Sequence, residues 1–389
     1  MDRARAYLDH NATTPMLPEA RDAVIAGFEL IGNPSSIHEE GRAARAAIEK
    51  ARRQLADLLG AAPEHVFFTS GGTESANIVL VPDVLGKGPQ RCDRLMIAGG
   101  EHPCVMSGHR FPADSVQILP LTPHGVLDLD ALKTALAQAS GERVMLALQA
   151  ANNETGVLQP VDEAADMVHA AGGIVYCDAV QVVGRIPVFM ATLKADLVGL
   201  SAHKFGGPKG VGALIIANPE LHIANLLVRG GGQERGLRAG TENLLGILGM
   251  GAAAETVRIA LQAEAERQMV LRDEIEAIVH RVTPEAVILG EKAARLPNTC
   301  TFALPTLKAD ILLMALDVEG VALSSGSACS SGKVKRSQVL DSMGISDPLA
   351  SGVLRVSVGR TSTKADVEVF ASAYEKVVGT MKARRKTAA

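Results

Sequence analysis

Short apolar stretches alternate with helical patterns through the first part of the chain, and this alternation constrains the fold more than any other feature. Apolar, β-rich stretches occur at residues 65–70, 94–99, 144–149, 173–179, 196–202 and 210–217. Helical periodicity separates several of them, over residues 39–60 and 161–173. Continuous apolar strands that alternate with helices are typical of a mostly parallel sheet with helices on both faces. The sequence therefore predicts an α/β domain.

The pattern changes near residue 255. Residues 252–282 predict one long amphipathic helix, and the preceding "NLLGILGMGAAA" is typical of a buried helix rather than a membrane span. Two strand patterns follow, "NTCTFALP" and "GVLRVSVG", separated by "ADILLMALDVEG", which indicates an α+β arrangement. A chain of 389 residues exceeds the size at which a single core stops growing. We therefore predict a large domain over residues 13–255 and a small domain over 256–389 that includes residues 1–12.

Composition limits the possible classes of function. Hydrophobic residues make up 47% of the chain and charged residues 21%, as in ordinary globular proteins. A net charge of −4 and an aromatic content of 3% argue against nucleic acid or an anionic membrane as a partner. The sequence begins with no secretory signal, and its five cysteines form no CxxC pair. We therefore expect a cytoplasmic protein without a structural metal site.

Polar and glycine-rich segments follow four of the predicted strands, at the positions where open α/β sheets bind ligands. "FFTSGGTESAN" places Gly72 and Thr73 at the start of a helix, where unpaired N–H groups attract phosphate. Asp178 lies in "GIVYCDAVQ", Asn153 in "LALQAANNETG" and Lys204 in "SAHKFGGPKG". Taken singly, these residues are equally well explained as helix caps, turn formers and a surface lysine.

Considered together, these side chains satisfy the needs of one cofactor. Pyridoxal phosphate requires a lysine for its Schiff base, a carboxylate for its pyridinium nitrogen and a cradle for its phosphate. Lys204 and Asp178 follow successive predicted strands, 26 residues apart. Ser201 and His203 would complete the cradle, and His102 in "GGEHPCV" would stack on the ring and carry protons. We therefore predict a pyridoxal phosphate site with Lys204 as the Schiff-base lysine.

A cysteine and an arginine nearer the C-terminus point to the reaction. Cys329 lies in "LSSGSACSSG", a Ser- and Gly-rich segment with no helix or strand pattern, whereas Cys177 and Cys300 lie in apolar stretches typical of a core. Lysines and an arginine follow Cys329 closely and would favour its thiolate, so we interpret it as a nucleophile. Arg355 lies inside a predicted strand, where the α-carboxylate of an amino acid would be a suitable partner.

Motifs spread over nearly the whole chain carry a family resemblance. They are "YLDHNATTP", "GNPSSIHEEGR", "FTSGGTESAN", "GGEH", "NNETGVLQP", "CDAVQ", "SAHKFGGPKGVG", "RAGTEN", "SSGSACSSG" and "LRVSVGR". With them the sequence resembles the NifS/IscS-type cysteine desulfurases, in the class V aminotransferase superfamily of fold-type I pyridoxal phosphate enzymes. The resemblance implies a large domain with a mostly parallel seven-stranded sheet between helices. It also implies a smaller α+β domain that carries the catalytic cysteine loop.

The resemblance further implies a role for individual residues. Lys204, His102 and Cys329 would be catalytic, and Arg355 would bind the substrate carboxylate. The other cofactor contacts would be Asp178 at the ring nitrogen, Gln181 at the ring hydroxyl, Asn153 beside ring and substrate, and Gly72, Thr73, Ser201 and His203 at the phosphate. Thr241 in "RAGTEN" would reach the phosphate of the neighbouring subunit's cofactor, which implies a homodimer.

The activity implied by the resemblance is removal of sulfur from L-cysteine, which gives L-alanine and a persulfide on Cys329. The persulfide would pass to an iron–sulfur scaffold protein or another acceptor. Transient ligation of a scaffold's cluster by that persulfide is the one metal contact implied. Two alternatives with the same cofactor site stay open: a selenocysteine lyase, and another class V aminotransferase or β-lyase. A sulfur carrier without catalysis would leave Lys204 unexplained.

Overall fold

The computed structural model describes residues 5–86, 90–325 and 337–388. Within these residues the strands are β1 Ala6–Tyr7, β2 Val66–Thr69, β3 Val84–Leu85, β4 Arg94–Ala98, β5 Val116–Leu119, β6 Val144–Ala147, β7 Ile174–Asp178, β8 Leu197–Ser201, β9 Gly212–Ile216, β10 His222–Ile223, β11 Val287–Ile288, β12 Thr299–Ala303, β13 Val321–Ala322, β14 Ser324–Ser325 and β15 Val353–Ser357. The α-helices are α1 Pro18–Gly27, α2 Glu39–Leu59, α3 Gly72–Val79, α4 Pro103–Met106, α5 Leu129–Gln138, α6 Val161–Ala170, α7 Met190–Leu193, α8 Leu244–Val282, α9 Ala309–Val318, α10 Gln338–Ser342, α11 Asp347–Ala350 and α12 Lys364–Ala388.

Seven strands form the central sheet, in the order β2-β9-β8-β7-β6-β4-β5. Its strand pairs are parallel except those of β9, which runs antiparallel to β2 and β8. Each predicted apolar stretch of the large domain contains one strand of this sheet, and the predicted fold class is confirmed. Strand β5 is not apparent in the sequence because it lies at the sheet edge, where only Leu119 of its four residues is buried.

Alternate residues of the central strands face opposite cores, which explains their continuous apolar character. On β6, Val144 and Leu146 belong to one buried cluster, whereas Met145 and Ala147 belong to another. Residues of α2, α6 and α8 complete the first cluster, and residues of α3 complete the second. Because both faces are covered by helices, the strand ends are where the sheet can present polar side chains.

Helix α8 spans 39 residues and contains the predicted amphipathic helix 252–282 together with most of the buried helical segment 243–254 before it. Its first half packs against α1 and α2 and places Ile247 in the large core. Its second half places Leu271 in the core of the smaller part. By length and composition alone this helix could cross a membrane, but both halves pack against protein. It runs through the predicted boundary at residue 255, and the division of the chain there stays a prediction.

A second sheet, in the order β11-β12-β15-β14, is antiparallel throughout. Together with α9 and α12 it surrounds a separate core that includes Phe302 and Phe370. Strand β1 pairs in parallel with β13, so the N-terminal strand joins this smaller part. Arg355 occupies the middle of β15, opposite Thr301 of β12 and Ser324 of β14. This register places the guanidinium on the side where the two sheets approach each other, beside the cavity described next.

Candidate active site

The ends of β7 and β8 and the start of α3 open onto a cavity of about 350 Å³, to which the second sheet also contributes. Predicted site residues from both sheets line it: Gly72, Thr73, His102, Asn153, Asp178, Gln181, Ser201, His203, Lys204 and Arg355. The lining also includes residues not predicted from the sequence: Asn11, Ala12, Cys104, Gln149, Ala151, Val180 and Ser324. The fold therefore brings the predicted residues of distant segments to one place.

Lys204 lies in the short turn that follows β8. Its Nζ donates hydrogen bonds to the carbonyl oxygens of Asn11 at 2.6 Å and Ala12 at 3.0 Å. Burial, together with the charges of Arg185 and Arg355, lowers the pKa of Lys204 to about 8, although Asp178 and Asp9 act to raise it. A substantial fraction of this amine is therefore neutral near physiological pH, which is the form that attacks a carbonyl carbon.

Asp178 ends β7, where it pairs with Gly199 of β8, the strand that leads to Lys204. The N–H of Val180 donates to Asp178 Oδ1 at 2.9 Å, and the residue is 8% exposed. Burial raises the pKa of Asp178, although the Val180 N–H and the neighbouring His102 and Lys204 act to lower it. A cation held beside Asp178 in the cavity would offset the cost of ionising this buried carboxyl.

His102 precedes α4, and its Nδ1 accepts a hydrogen bond from the N–H of Cys104 at 3.2 Å. Burial lowers the pKa of His102, so the imidazole is held neutral with its proton on Nε2. Glu101 beside it is buried, and its Oε1 accepts the N–H of Gln149 at 2.5 Å. Burial raises the pKa of Glu101 well above its usual range, although the N–H of Gln149 acts to lower it. His102 is therefore a neutral proton carrier on the cavity wall.

The start of α3 forms one end of the cavity. In the described part of the chain no side chain caps this helix, so its first N–H groups are available to an anion. A Cβ at Gly72 would lie 2.7 Å from Cγ2 of Val180, which explains the glycine there. His203 Nδ1 lies 3.1 Å from Thr13 Oγ1, and burial lowers the pKa of His203 to about 4. The imidazole is thus a neutral hydrogen-bonding group at neutral pH.

Arg355 is 4% exposed and already engaged on two sides. Its Nη2 donates to Asp9 Oδ1 at 2.7 Å, and its Nη1 donates to the carbonyl oxygen of Asn153 at 2.9 Å. Its Nε is buried and has no partner among the described residues. The sequence predicts that the Arg355 guanidinium pairs with a carboxylate. In the structure that carboxylate belongs to Asp9, a residue not predicted from the sequence.

Two predicted residues stand apart from the cavity. Thr241 is exposed just before α8 and does not line the cavity, so its role toward a neighbouring subunit stays a prediction. Cys329 and the basic residues that follow it lie outside the described residues. Ser324, which precedes Cys329 by five residues in the sequence, lines the cavity.

The charges around the cavity suit an anionic ligand. Arg355 and the protonated form of Lys204 bring positive charge to the cavity, against the carboxyl groups of Asp178 and of Asp9, the ion-pair partner of Arg355. The uncapped helix start adds partial positive charge at one end. A ligand with a phosphate and a carboxylate would therefore be attracted at two separate points.

This combination of fold and site defines a class of proteins. The model of the family "Aminotransferase class-V" matches residues 6–370, and the chain belongs to that family. Within it, the chain is 38% identical over 385 residues to the cysteine desulfurase of Cereibacter sphaeroides, covering 97% of each chain. It is 37% identical over 381 residues to the cysteine desulfurase IscS of Dictyoglomus turgidum, covering 97% of this chain and 95% of the relative.

A solved structure agrees with these relatives. The X-ray structure of a NifS-like protein from Rickettsia africae matches the fold with a TM-score of 0.86 at 31% identity. The match covers 96% of this chain and 99% of that chain. The family resemblance inferred from the motifs is thereby confirmed.

Proposed function

We propose that the protein is a pyridoxal phosphate-dependent cysteine desulfurase, which converts L-cysteine to L-alanine and leaves a persulfide on Cys329. The observation that carries this proposal is the meeting of Lys204, Asp178 and Arg355 at one cavity. The relatives named cysteine desulfurase, which align over 97% of the chain, support the same conclusion.

Residues on the side of the central sheet would hold the cofactor. Lys204 would bind its aldehyde carbon, Asp178 would pair with the ring nitrogen, and Gln181 would contact the ring hydroxyl. The phosphate would lie at the start of α3, held by Gly72, Thr73, Ser201 and His203. When bound, pyridoxal phosphate supplies an electron sink that stabilises negative charge on the substrate's Cα. Asp178 would keep the ring nitrogen protonated, which also gives the buried carboxylate its missing cation.

Arg355 would bind the α-carboxylate of L-cysteine, with the backbone of Asn153 beside it. Because Asp9 and the Asn153 carbonyl each accept from one nitrogen of the guanidinium, the substrate would use the remaining N–H groups of Nη1 and Nη2. Lys204, released as an amine, would remove the Cα proton. His102 would hold the proton that leaves the substrate thiol.

Cys329 would then act as the nucleophile. Its thiolate attacks the substrate sulfur, a sulfur–sulfur bond forms, and the Cβ–S bond breaks with its electron pair passing to carbon. Protonation of that carbon and return of a proton to Cα would yield L-alanine, and the sulfur would stay on Cys329 as a persulfide. The persulfide would be handed to an acceptor such as an iron–sulfur scaffold protein. We further propose a cytoplasmic homodimer, in which Thr241 contacts the cofactor of the neighbouring subunit.

Cys329→Ser tests this function. The variant should bind the cofactor and change its absorbance on addition of L-cysteine, but alanine and protein-bound sulfane sulfur should fall to background. Cys104→Ala is a matched control, because Cys104 also lines the cavity while burial raises the pKa of its thiol. It should retain alanine formation. Normal alanine production by Cys329→Ser would contradict the persulfide step and favour a β-lyase, and retained activity on L-selenocysteine alone would favour a selenocysteine lyase.

A further inference from the structure

Arg185, in the turn after β7, is a buried cation that pairs with no carboxylate in the described part of the chain. It is 5% exposed. Its Nη1 donates to the carbonyl oxygen of Gln181 at 2.6 Å and to the side-chain Oε1 of the same residue. Its Nη2 donates to the carbonyl oxygen of His10 at 3.0 Å. All three acceptors are neutral, although burying a charge without a counter-charge is costly.

Other buried arginines in the described residues do have a carboxylate partner. Arg52 lies 2.8 Å from Glu234, and Arg295 lies 2.7 Å from Glu276. Arg355, the other arginine at the cavity, pairs with Asp9. Arg185 differs from these three because its hydrogen bonds are satisfied but its charge is not. The buried, unpaired charge of Arg185 therefore points to a role in the neighbouring cavity.

Three consecutive carbonyl groups connect Arg185 to Lys204. The carbonyl of His10 accepts from Arg185, that of Asn11 accepts from Lys204 and from Gln181 Nε2, and that of Ala12 accepts from Lys204. The guanidinium and the amine are therefore held side by side on one short segment of backbone. A guanidinium does not lose its proton in a protein, so repulsion between the two cations is relieved by deprotonating the amine.

We propose that Arg185 is a positioning residue that acts through Lys204, keeping the lysine amine unprotonated and ready to attack a carbonyl carbon. The inference rests on the proposed role of Lys204 in binding the cofactor. Around Lys204, Arg185 and Arg355 favour the neutral amine, Asp178 and Asp9 oppose them, and the neutral His102 and His203 lie nearby. After burial, Arg185 is the largest cause of the lowered pKa of Lys204.

The amine can be titrated without using activity. The full-length chain, freed of cofactor, is labelled with acetic anhydride at a series of pH values, and acetylation of Lys204 is measured by peptide mass spectrometry. The unaltered protein should give a midpoint of about 8. Arg185→Met removes the charge at similar volume and should raise the midpoint by roughly one unit, which means about tenfold less neutral amine near pH 7.

Two further variants separate the charge from a structural role. Arg185→Lys keeps the charge and should leave the midpoint close to that of the unaltered protein. Arg143→Met is the matched control, because Arg143 also donates to backbone carbonyls, of Val84 and Gln90, but lies before β6 at the opposite end of the sheet. It should leave the midpoint unchanged. In the enzyme with bound cofactor, the pH midpoint of the cofactor's absorbance change should rise in Arg185→Met and stay close to that of the unaltered protein in Arg185→Lys and Arg143→Met.

An unchanged Lys204 midpoint in Arg185→Met would overturn the proposal, and so would an equal shift in Arg185→Lys. If Arg185→Met does not fold, Arg185→Gln replaces it, since an amide can still donate to the His10 carbonyl without carrying charge. Failure of the proposed function gives a different result. Borohydride reduction and peptide mapping would then place the cofactor on another lysine, while the labelling of Lys204 would still decide the role of Arg185.

Discussion

The two walls of the cavity are built in different ways. The central-sheet wall consists of strand ends and a helix start: Asp178 pairs with Gly199 on the neighbouring strand, and that strand leads to Lys204. The second-sheet wall depends on Arg355, whose partners Asp9 and Asn153 lie 346 and 202 residues away along the chain. The first wall follows from sheet geometry, and the second requires packing of segments that are remote in sequence.

This difference indicates a division of labour. The central-sheet wall carries the amine, the buried carboxyl and the helix start that a phosphate-bearing cofactor needs. In the proposed function, the second-sheet wall carries the guanidinium that would bind the carboxylate of the substrate. Changes in the first wall should therefore weaken cofactor binding or abolish the chemistry that depends on it, whereas changes in the second should alter substrate use and leave the cofactor in place.

The largest effect is expected at Lys204. Lys204→Ala removes both the covalent link to the cofactor and the base, and should lower kcat for alanine formation by a factor on the order of 10³ or more. Alanine release from L-cysteine measures this loss. Lys209→Ala, an exposed lysine in the same glycine-rich loop, is the control and should keep full activity. A Lys204→Ala enzyme that kept its activity would remove the central-sheet wall from the chemistry.

Arg355→Lys tests the second-sheet wall and should have the next largest effect. Lysine keeps the charge but loses the planar fork, and a hydrogen bond to a charged group contributes roughly 1.5–3 kcal/mol. Loss of one such bond should lower kcat/KM for L-cysteine by roughly 10- to 150-fold. The cofactor absorbance of the resting enzyme should not change.

Cysteamine, which lacks the carboxylate, distinguishes binding from structure in this experiment. It should be a poor substrate for both proteins and discriminate little between them. An equal proportional loss on L-cysteine and cysteamine would mean that Arg355 acts through its ion pair with Asp9 and holds the fold together. In that case the second wall would be structural, and the division of labour would fail.

Much of the central-sheet wall can be predicted from the sequence, because a buried parallel strand is a short apolar run and its end is easy to locate. Asp178 and Lys204 each follow such a run, so their proximity follows from strand order alone. The edge strand β5 lacks this signal, because Val116 and Gln117 are only partly buried and Ile118 is exposed. Its place in the sheet comes from pairing with β4.

The second wall and the support beneath Lys204 cannot be predicted in the same way. No local pattern connects Asp9 to Arg355 or His10 to Arg185, since these contacts depend on how the N-terminal segment packs between the two sheets. The motif "YLDHNATTP" contains Asp9 and His10, but its composition does not predict which donors its carbonyl groups accept hydrogen bonds from. Continuous helix α8 likewise combines two patterns that the sequence presents separately.

Gly72→Ala should have a smaller effect on the central-sheet wall. The added Cβ would lie 2.7 Å from Val180 Cγ2, so either the Val180 side chain or the start of α3 must shift. We expect cofactor affinity to fall by roughly tenfold, which corresponds to about 1.4 kcal/mol. Spectroscopic titration with pyridoxal phosphate measures the change. Gly379→Ala, on α12 with open space around it, is the control and should leave the affinity unaltered.

The hydrogen bond between Glu154 and Ser337, close to the cavity, supplies the last prediction. Glu154 lies in the turn after β6, next to Asn153, and its Oε2 accepts a hydrogen bond from Ser337 Oγ at 2.5 Å. Ser337 in turn caps α10 by accepting the N–H of Leu340 at 3.2 Å. Burial raises the pKa of Glu154 from 4.5 to about 7, although the Ser337 hydroxyl and the Arg355 charge act to lower it. The contact therefore titrates near neutral pH.

Between pH 4.5 and about 7 the folded protein keeps this carboxyl protonated, while the unfolded chain has lost the proton. The unfolded state then binds fewer protons, so Glu154 lowers the free energy of unfolding progressively as the pH rises through that window, with no further loss above it. Glu154→Gln keeps an acceptor for Ser337 but cannot ionise, and should flatten this part of the pH profile. Thermal midpoints across the window should differ from those of the unaltered protein by a few degrees at its upper end. Glu163→Gln, on the exposed face of α6, is the control and should retain the slope of the pH profile. If Glu154→Gln also retains that slope, Glu154 does not titrate within this pH window.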